Sequence, residues 1–193
     1  LSHDEQARTS IGEGEGPLLL FFGYIRPYKG LRYLIEAMPL IAAETGARLL
    51  VVGEFYEDAG PYREQVRTLG LEDRVRFVDR YVDNEEVAGY FAAADLVVLP
   101  YVSATQSGIA QIAIAFDRPM IVTSVGGLPE VVREERTGFV VEAADPRALA
   151  AAAVGDGVGG RTTRGGHGTR RCGAACGADG AAAGADRGAI DGG

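Results

Sequence analysis

Gly23-Tyr24-Ile25-Arg26-Pro27-Tyr28-Lys29-Gly30 stands between the apolar run Leu18-Leu19-Leu20-Phe21-Phe22 and a helical pattern that starts at Leu31. A strand therefore ends in a basic, glycine-flanked loop at a helix N-terminus. Open α/β sheets bind phosphates at such junctions. The loop lies at the carboxyl end of a strand, backbone N–H groups point outward, and the helix dipole favours an anion. Arg26 and Lys29 add two positive side chains to that setting.

Outward from this loop, short apolar runs alternate with helical patterns, the signature of βαβ units and a parallel sheet. Strands are expected at Leu18 to Tyr24, Arg48 to Gly53, Val75 to Asp79, Leu96 to Pro100, Met120 to Ser124 and Gly138 to Val141. Most are apolar at nearly every position, as strands covered by helices on both faces must be. Helices are expected at Leu31 to Thr45, Pro61 to Leu69, Asn84 to Ala94, Ser107 to Phe116, Leu128 to Glu134 and Pro146 to Val154, with Asp83 and Asp145 as start signals. The fold class is thus α/β: a doubly wound, mainly parallel sheet of about six strands.

The 193 residues are 47% apolar and 24% charged, with a net charge of −8, which suits a globular domain with an ordinary core. An acidic balance argues against nucleic acid as a partner. No apolar run approaches the roughly 20 residues that cross a bilayer, and no signal-peptide layout opens the chain, so the expected location is cytoplasmic. Residues 1–16 are polar and without periodicity, which reads as a lead-in or the stub of an interdomain linker. The start at Leu1 suggests that a segment precedes it.

Composition changes near Gly155. Residues 155–193 hold half of the 28 glycines and no aromatic residue, and their only large aliphatics are Val158 and Ile190. Such a segment buries too little apolar area to offset the entropy of ordering it, and the expectation is a disordered, low-complexity tail. Periodicity stops so abruptly that a truncated or out-of-frame translation of a GC-rich gene is a hypothesis for it. Cys172, Cys176 and His167 lie in this tail; they lack the four ligands at defined spacing that a structural zinc site needs, so no metal is expected.

The loops at the strand carboxyl ends share one rim. The first carries Gly23, Tyr24, Arg26 and Lys29; that between Asp79 and Asn84 carries Arg80 and Tyr81; the fourth, Tyr101 to Gly108, carries Thr105, Gln106, Ser107 and Gly108; the fifth carries Gly126 and Gly127, followed by Glu130. Two cations and two helix N-termini would converge where an anion can sit. A diphosphate fits, because one helix terminus supplies only about half a charge and a doubly charged group needs several donors. Each piece alone has a plainer role, as a turn, a cap or a surface ion pair; their order and placement together favour a site.

Four blocks carry a family resemblance: Leu20 to Leu31, Ala93-Ala94-Asp95-Leu96-Val97-Val98-Leu99-Pro100, Pro119 to Val132, and Thr137-Gly138-Phe139-Val140-Val141. In that order, over about residues 17–154, they resemble the C-terminal half of the retaining glycosyltransferases of family four, with the GT-B fold. The resemblance implies a Rossmann-like domain that binds a nucleotide-sugar donor and an N-terminal acceptor domain absent from this chain, through which any peripheral membrane contact would run. It implies that Lys29 contacts the donor diphosphate. The family arginine directly after the strand glycine is replaced by Tyr24, with Arg26 two positions on as its substitute. Two family glutamates fall at Ala104 and Ile112 and are missing; Ser107 and Gly108 would present their helix N-terminus to phosphate, and Gln106 or Gln111 would take over hydroxyl recognition.

The implied function is sugar transfer from a nucleotide diphosphate sugar to an acceptor, with no cofactor and no metal. No Asp-x-Asp motif occurs. The donor base, UDP, GDP or ADP, stays open. The alternatives are a non-catalytic nucleotide-binding module and a GT-B nucleotide-sugar epimerase. A Rossmann oxidoreductase would want Gly-x-Gly-x-x-Gly after the first strand, and that spacing is absent.

Overall fold

A computed structural model of the chain describes residues 3–135 and 138–158. Its elements run α1 (His3–Ser10), β1 (Leu18–Phe22), α2 (Leu31–Thr45), β2 (Arg48–Val52), α3 (Gly60–Thr68), β3 (Val75–Val78), α4 (Asn84–Ala93), β4 (Leu96–Leu99), α5 (Gly108–Ala115), β5 (Met120–Thr123), α6 (Leu128–Glu135), β6 (Gly138–Val141) and α7 (Pro146–Ala152). A short 3-10 turn spans Pro27–Lys29 and a π turn spans Ala153–Gly157.

The six strands pair in parallel in the order β3-β2-β1-β4-β5-β6. Strand β1 is apolar throughout because both of its faces are covered. Leu19 and Phe21 join Leu96 and Val98 of β4 in one core with α2 and α7 residues such as Leu34 and Leu149. Leu18, Leu20 and Phe22 join Val97 and Leu99 in the other, with Phe91 of α4 and Ala110 of α5. Full burial of each such leucine or phenylalanine contributes about 1.5–3 kcal/mol. The chain winds from β1 to β2 on one side and returns to β4 on the other. The loops after β1 and β4 therefore flank the point where the strand order reverses, the crevice in which open α/β sheets hold ligands.

Expected elements and observed ones agree within one or two residues at their ends, with three differences of substance. Strands β1 and β2 stop before Gly23 and Gly53, where both glycines take positive φ, +102° and +140°, and the two backbones come so close that a Cβ on Gly53 would fall 2.3 Å from the Gly23 carbonyl oxygen. Residues 1–16, read as a lead-in or interdomain linker stub without periodicity, contain helix α1. No apolar period announces it, because polar contacts hold it. Arg8 donates to the Ala93 carbonyl, the Gly16 carbonyl and the Asp95 carboxylate, while Asp95 also accepts the Leu18 N–H at 2.8 Å. The Glu13 side chain is enclosed between Arg48 and Arg76 at 3.0 and 3.1 Å.

The third difference lies at the expected tail boundary. The chain stays ordered past Val154 through the π turn, and Val158 is buried in the core beside Leu96 and Ala153. An apolar anchor at the end of a glycine-rich turn carries the described structure at least four residues past the expected boundary. The rest of the expected tail, with Cys172, Cys176 and His167, lies outside the described residues. Of the two start signals, Asp145 caps α7 by accepting from the N–H groups of Arg147 and Ala148, both at 3.0 Å. Asp83 makes no side-chain cap on α4. No helix among the described residues is long and apolar enough to cross a membrane.

Candidate anion site at the strand-order reversal

Lys29 closes the 3-10 turn after β1 and is buried, at 8% exposure, which is rare for a lysine. Its ammonium lies 3.0 Å from where a Cβ on Gly23 would stand and 5.7 Å from the centre of the ring of Tyr101, in the loop after β4. Among the described residues no carboxylate pairs with it. Burial, and after it the positive charge of Arg26, pulls the Lys29 ammonium down from 10.5 to about 8. A largely buried lysine with no carboxylate partner among the described residues is thus held in the crevice.

Tyr101 carries the geometry across to α5. Its hydroxyl is 3.3 Å from Ser107 Oγ, its ring meets Tyr28 edge-on at 6.1 Å, and its carbonyl accepts from the buried Thr123 hydroxyl. Burial raises the Tyr101 phenol pKa, with Ser107 opposing, so the ring stays neutral. The two loops are also joined by backbone, since Val102 N–H donates to the Tyr28 carbonyl at 2.8 Å. Ser107 stands at the N-cap of α5 without capping it through its side chain. Gly108 has open space beyond its α-carbon, and Ile109 packs on Gly23. Tyr101 and Gly23 thus bring Lys29 together with Ser107 and Ile109 at the start of α5, where a helix leaves its first amides without partners in the helix.

The glycine pair after β5 is built for backbone contact. Gly126 takes φ +53°, and a Cβ there would fall 1.8 Å from the Ala104 carbonyl; Gly127 N–H donates to the Thr105 carbonyl at 2.9 Å. Helix α6 begins beside the Thr105–Gln106 loop, with the Gln106 side chain against Gly127. Its N-terminus is a poorer anion donor than expected: Leu128 N–H donates to the Val125 carbonyl, and Pro129 has no N–H. Of the two helix termini expected to converge, α5 is the one placed beside Lys29. Glu130 is exposed on the first turn of α6.

The remaining expected residues spread along the rim. Arg26 points toward β2, its guanidinium 4.0 Å from the centre of the Tyr56 ring. Tyr24 is half exposed. Arg80 and Tyr81 lie after β3, two strands away from β1, and Arg80 is engaged by Glu86 through two hydrogen bonds of 2.8 and 2.6 Å, which raises the Arg80 pKa and lowers that of Glu86. Ile112 is half-buried and packs with the apolar core, so the position of the second missing glutamate is a core position here. Gln106 and Gln111 are both exposed. Tyr101, Tyr56 and Ile109 were not among the expected site residues. Tyr101 had a signal, as the first residue after the β4 Pro100, whereas the part played by Tyr56 depends on cross-strand placement.

The comparisons agree with this architecture. Residues 16–155 match the profile of the family described as Glycosyl transferases group 1. The D-inositol 3-phosphate glycosyltransferase of Corynebacterium glutamicum is 36% identical over 153 residues, covering 76% of this chain and 36% of that protein. Among solved structures, the sucrose-phosphate synthase of Thermosynechococcus elongatus aligns with a TM-score of 0.66 at 31% identity, over 76% of this chain and 38% of the other. Anabaena HepE in complex with UDP shares the fold, with a TM-score of 0.69 at 23% identity, over 80% of this chain and 43% of the other. The chain thus spans about a third of the length of the curated relatives it matches.

Proposed function

The chain belongs to the group 1 glycosyl transferases, and from that membership we propose that it is the donor-binding domain of a retaining glycosyltransferase. It takes a nucleotide diphosphate sugar at the strand-order reversal and works with an acceptor domain outside this chain. The observation that carries this reading is the buried Lys29 side chain, with no carboxylate partner among the described residues, beside the N-terminus of α5. The UDP bound by HepE, a protein of the same fold, supports a nucleoside diphosphate as the ligand class.

Glycosyl transfer from such a donor breaks the bond between the anomeric carbon and a phosphate oxygen. Negative charge grows on the leaving diphosphate while the sugar becomes oxocarbenium-like. Lys29 and the α5 amides, fixed before the reaction, stabilise that charge, and one preorganised donor of this kind is worth about 2.7–4 kcal/mol of barrier. Ser107 and Tyr101 shape the pocket wall. Gln106, Gly127 and Glu130 lie where the sugar would extend, and Arg80 and Tyr81 form the outer rim on the nucleoside side.

Calorimetric titration of the chain with UDP, GDP and ADP tests the reading. One diphosphate should bind in preference to the other two and thereby name the base, with binding lost in Lys29→Ala. Failure of all three to bind overturns it. A non-catalytic nucleotide module is the second reading, favoured by Ala104 and Ile112 in place of the two glutamates. It requires the same binding but no transfer by the two-domain protein.

A further inference from the structure

Arg26 is held by its neighbours in a way the diphosphate reading does not by itself explain. Beyond the ends of β1 and β2 the pairing continues through an isolated parallel bridge between Ile25 and Phe55. Ile25 N–H donates to the Glu54 carbonyl at 2.9 Å, and Tyr56 N–H donates to the Ile25 carbonyl at 3.1 Å. These bonds set residues 24–26 beside residues 54–56. Arg26 leaves the bridge in extended conformation, and its guanidinium lies over the Tyr56 ring at 4.0 Å. Among the described residues no carboxylate pairs with Arg26, so the aromatic face is the partner that fixes this cation. Lys29 meanwhile is turned the other way, toward Tyr101 and β4. The two cations of one loop are held on opposite sides of β1.

On the premise that this rim holds a nucleoside diphosphate, we propose that Tyr56 is a positioning residue for Arg26: it holds the guanidinium on the β2 side of the crevice, so that Arg26 meets the anion from the side opposite Lys29. Two like charges side by side in an empty pocket repel. Stacking one of them on an exposed ring keeps them apart until an anion bridges the gap. An exposed cation–π contact is worth about 0.5–1 kcal/mol, which corresponds to a change of about two- to fivefold in affinity.

The test titrates the 193-residue chain with UDP, GDP and ADP and follows whichever binds tightest through Tyr56→Ala, Tyr56→Phe, Arg26→Ala and the Tyr56→Ala/Arg26→Ala double variant. Tyr56 is 65% exposed and outside both cores, so these substitutions leave the fold intact. The expected results are a loss of about two- to fivefold in Tyr56→Ala, wild-type affinity in Tyr56→Phe, and no further loss when Tyr56→Ala is added to Arg26→Ala. An unchanged affinity in Tyr56→Ala overturns the inference, as does an equal loss in the Arg26→Ala background or a Tyr56→Phe variant as weak as Tyr56→Ala. Those outcomes leave the nucleotide reading standing. Failure of the wild-type chain to bind any of the three overturns both.

Discussion

The ammonium of Lys29 stands where a side chain on Gly23 would point: a Cβ on residue 23 would lie 3.0 Å from Nζ, and residue 23 holds φ +102°. The strand glycine thus makes the room in which the buried cation sits. Gly23→Ala should push the ammonium out of place and strain the backbone. The strain costs on the order of 1–3 kcal/mol of stability. Diphosphate affinity should fall by more than unfolding accounts for. Urea denaturation alongside calorimetry at a temperature where the variant is folded separates the two effects, and full affinity in a folded Gly23→Ala would show that Lys29 need not lie there.

Lys29→Met keeps the aliphatic stem and removes the charge. Burial holds the ammonium pKa near 8 in place of 10.5, so the folded state bears a desolvation cost at neutral pH. A shift of that size corresponds to about 3 kcal/mol at most, and part of it will be relieved by local relaxation. The variant should therefore be more stable than the parent by about 1–3 kcal/mol at pH 7 while losing diphosphate binding. Stability gained as function is lost is the mark of a residue kept for its ligand. A Lys29→Met chain less stable than wild type would mean that the ammonium is satisfied by a partner in the fold.

The same group sets opposite pH trends for stability and binding. Between about pH 8 and 10.5 the unfolded chain holds the Lys29 proton and the folded chain has released it, so the stability contribution of Lys29 rises with pH across that window. A bound diphosphate restores the proton, because a neighbouring anion raises a lysine pKa. Affinity should fall as pH rises through about 8, and binding near that pH should take up a proton. Titrations in two buffers of different ionisation enthalpy measure the uptake. Equal apparent enthalpies in both would exclude Lys29 as the group that pairs with phosphate.

Much of this was legible in the chain itself, for reasons that also explain what was not. Strands such as Leu18–Phe22 are apolar on both faces because helices cover both, so their number and order can be read from composition and alternation. The basic loop with Lys29 could be placed at the end of β1, and Ser107 at the start of α5, because each lies in a contiguous stretch of sequence. Helix α1 was not, since its stability comes from Arg8, Glu13 and Arg118 reaching residues far away in sequence, among them the 2.8 Å pair between Arg118 and Asp4. The direction of Arg26 was hidden for the same reason: it depends on Tyr56, 30 positions on, brought alongside by the Ile25–Phe55 bridge. The weak donor capacity at α6 could have been anticipated from Pro129 alone.

Arg8→Ala tests the account of α1. Arg8 joins the helix to the Ala93 carbonyl and to Asp95, whose carboxylate also receives the first amide of β1. Hydrogen bonds to a charged group contribute about 1.5–3 kcal/mol, so a loss of that order is expected, with faster amide exchange in residues 3–12 than in β1. Diphosphate affinity should not change, since these contacts lie at the opposite end of the strands from the crevice. Reduced affinity in Arg8→Ala would couple the two ends of the sheet.

Gly108→Ala separates binding from folding in the other direction. Apart from its chain neighbours and its own helix backbone, nothing described lies within 4 Å of the position its Cβ would take, and its φ needs no glycine. Ala is the better residue in a helix by about 1 kcal/mol in an interior turn and by less at the first position, so stability should be unchanged or slightly higher. The added methyl would stand in the opening between Lys29 and the first α5 amides, where a phosphate oxygen must approach within hydrogen-bond distance of the backbone. Affinity should therefore fall by at least tenfold, the equivalent of about 1.4 kcal/mol, with the melting temperature preserved. Wild-type affinity in Gly108→Ala would place the phosphate elsewhere on the rim and remove the α5 terminus from the site, whatever role Lys29 retains.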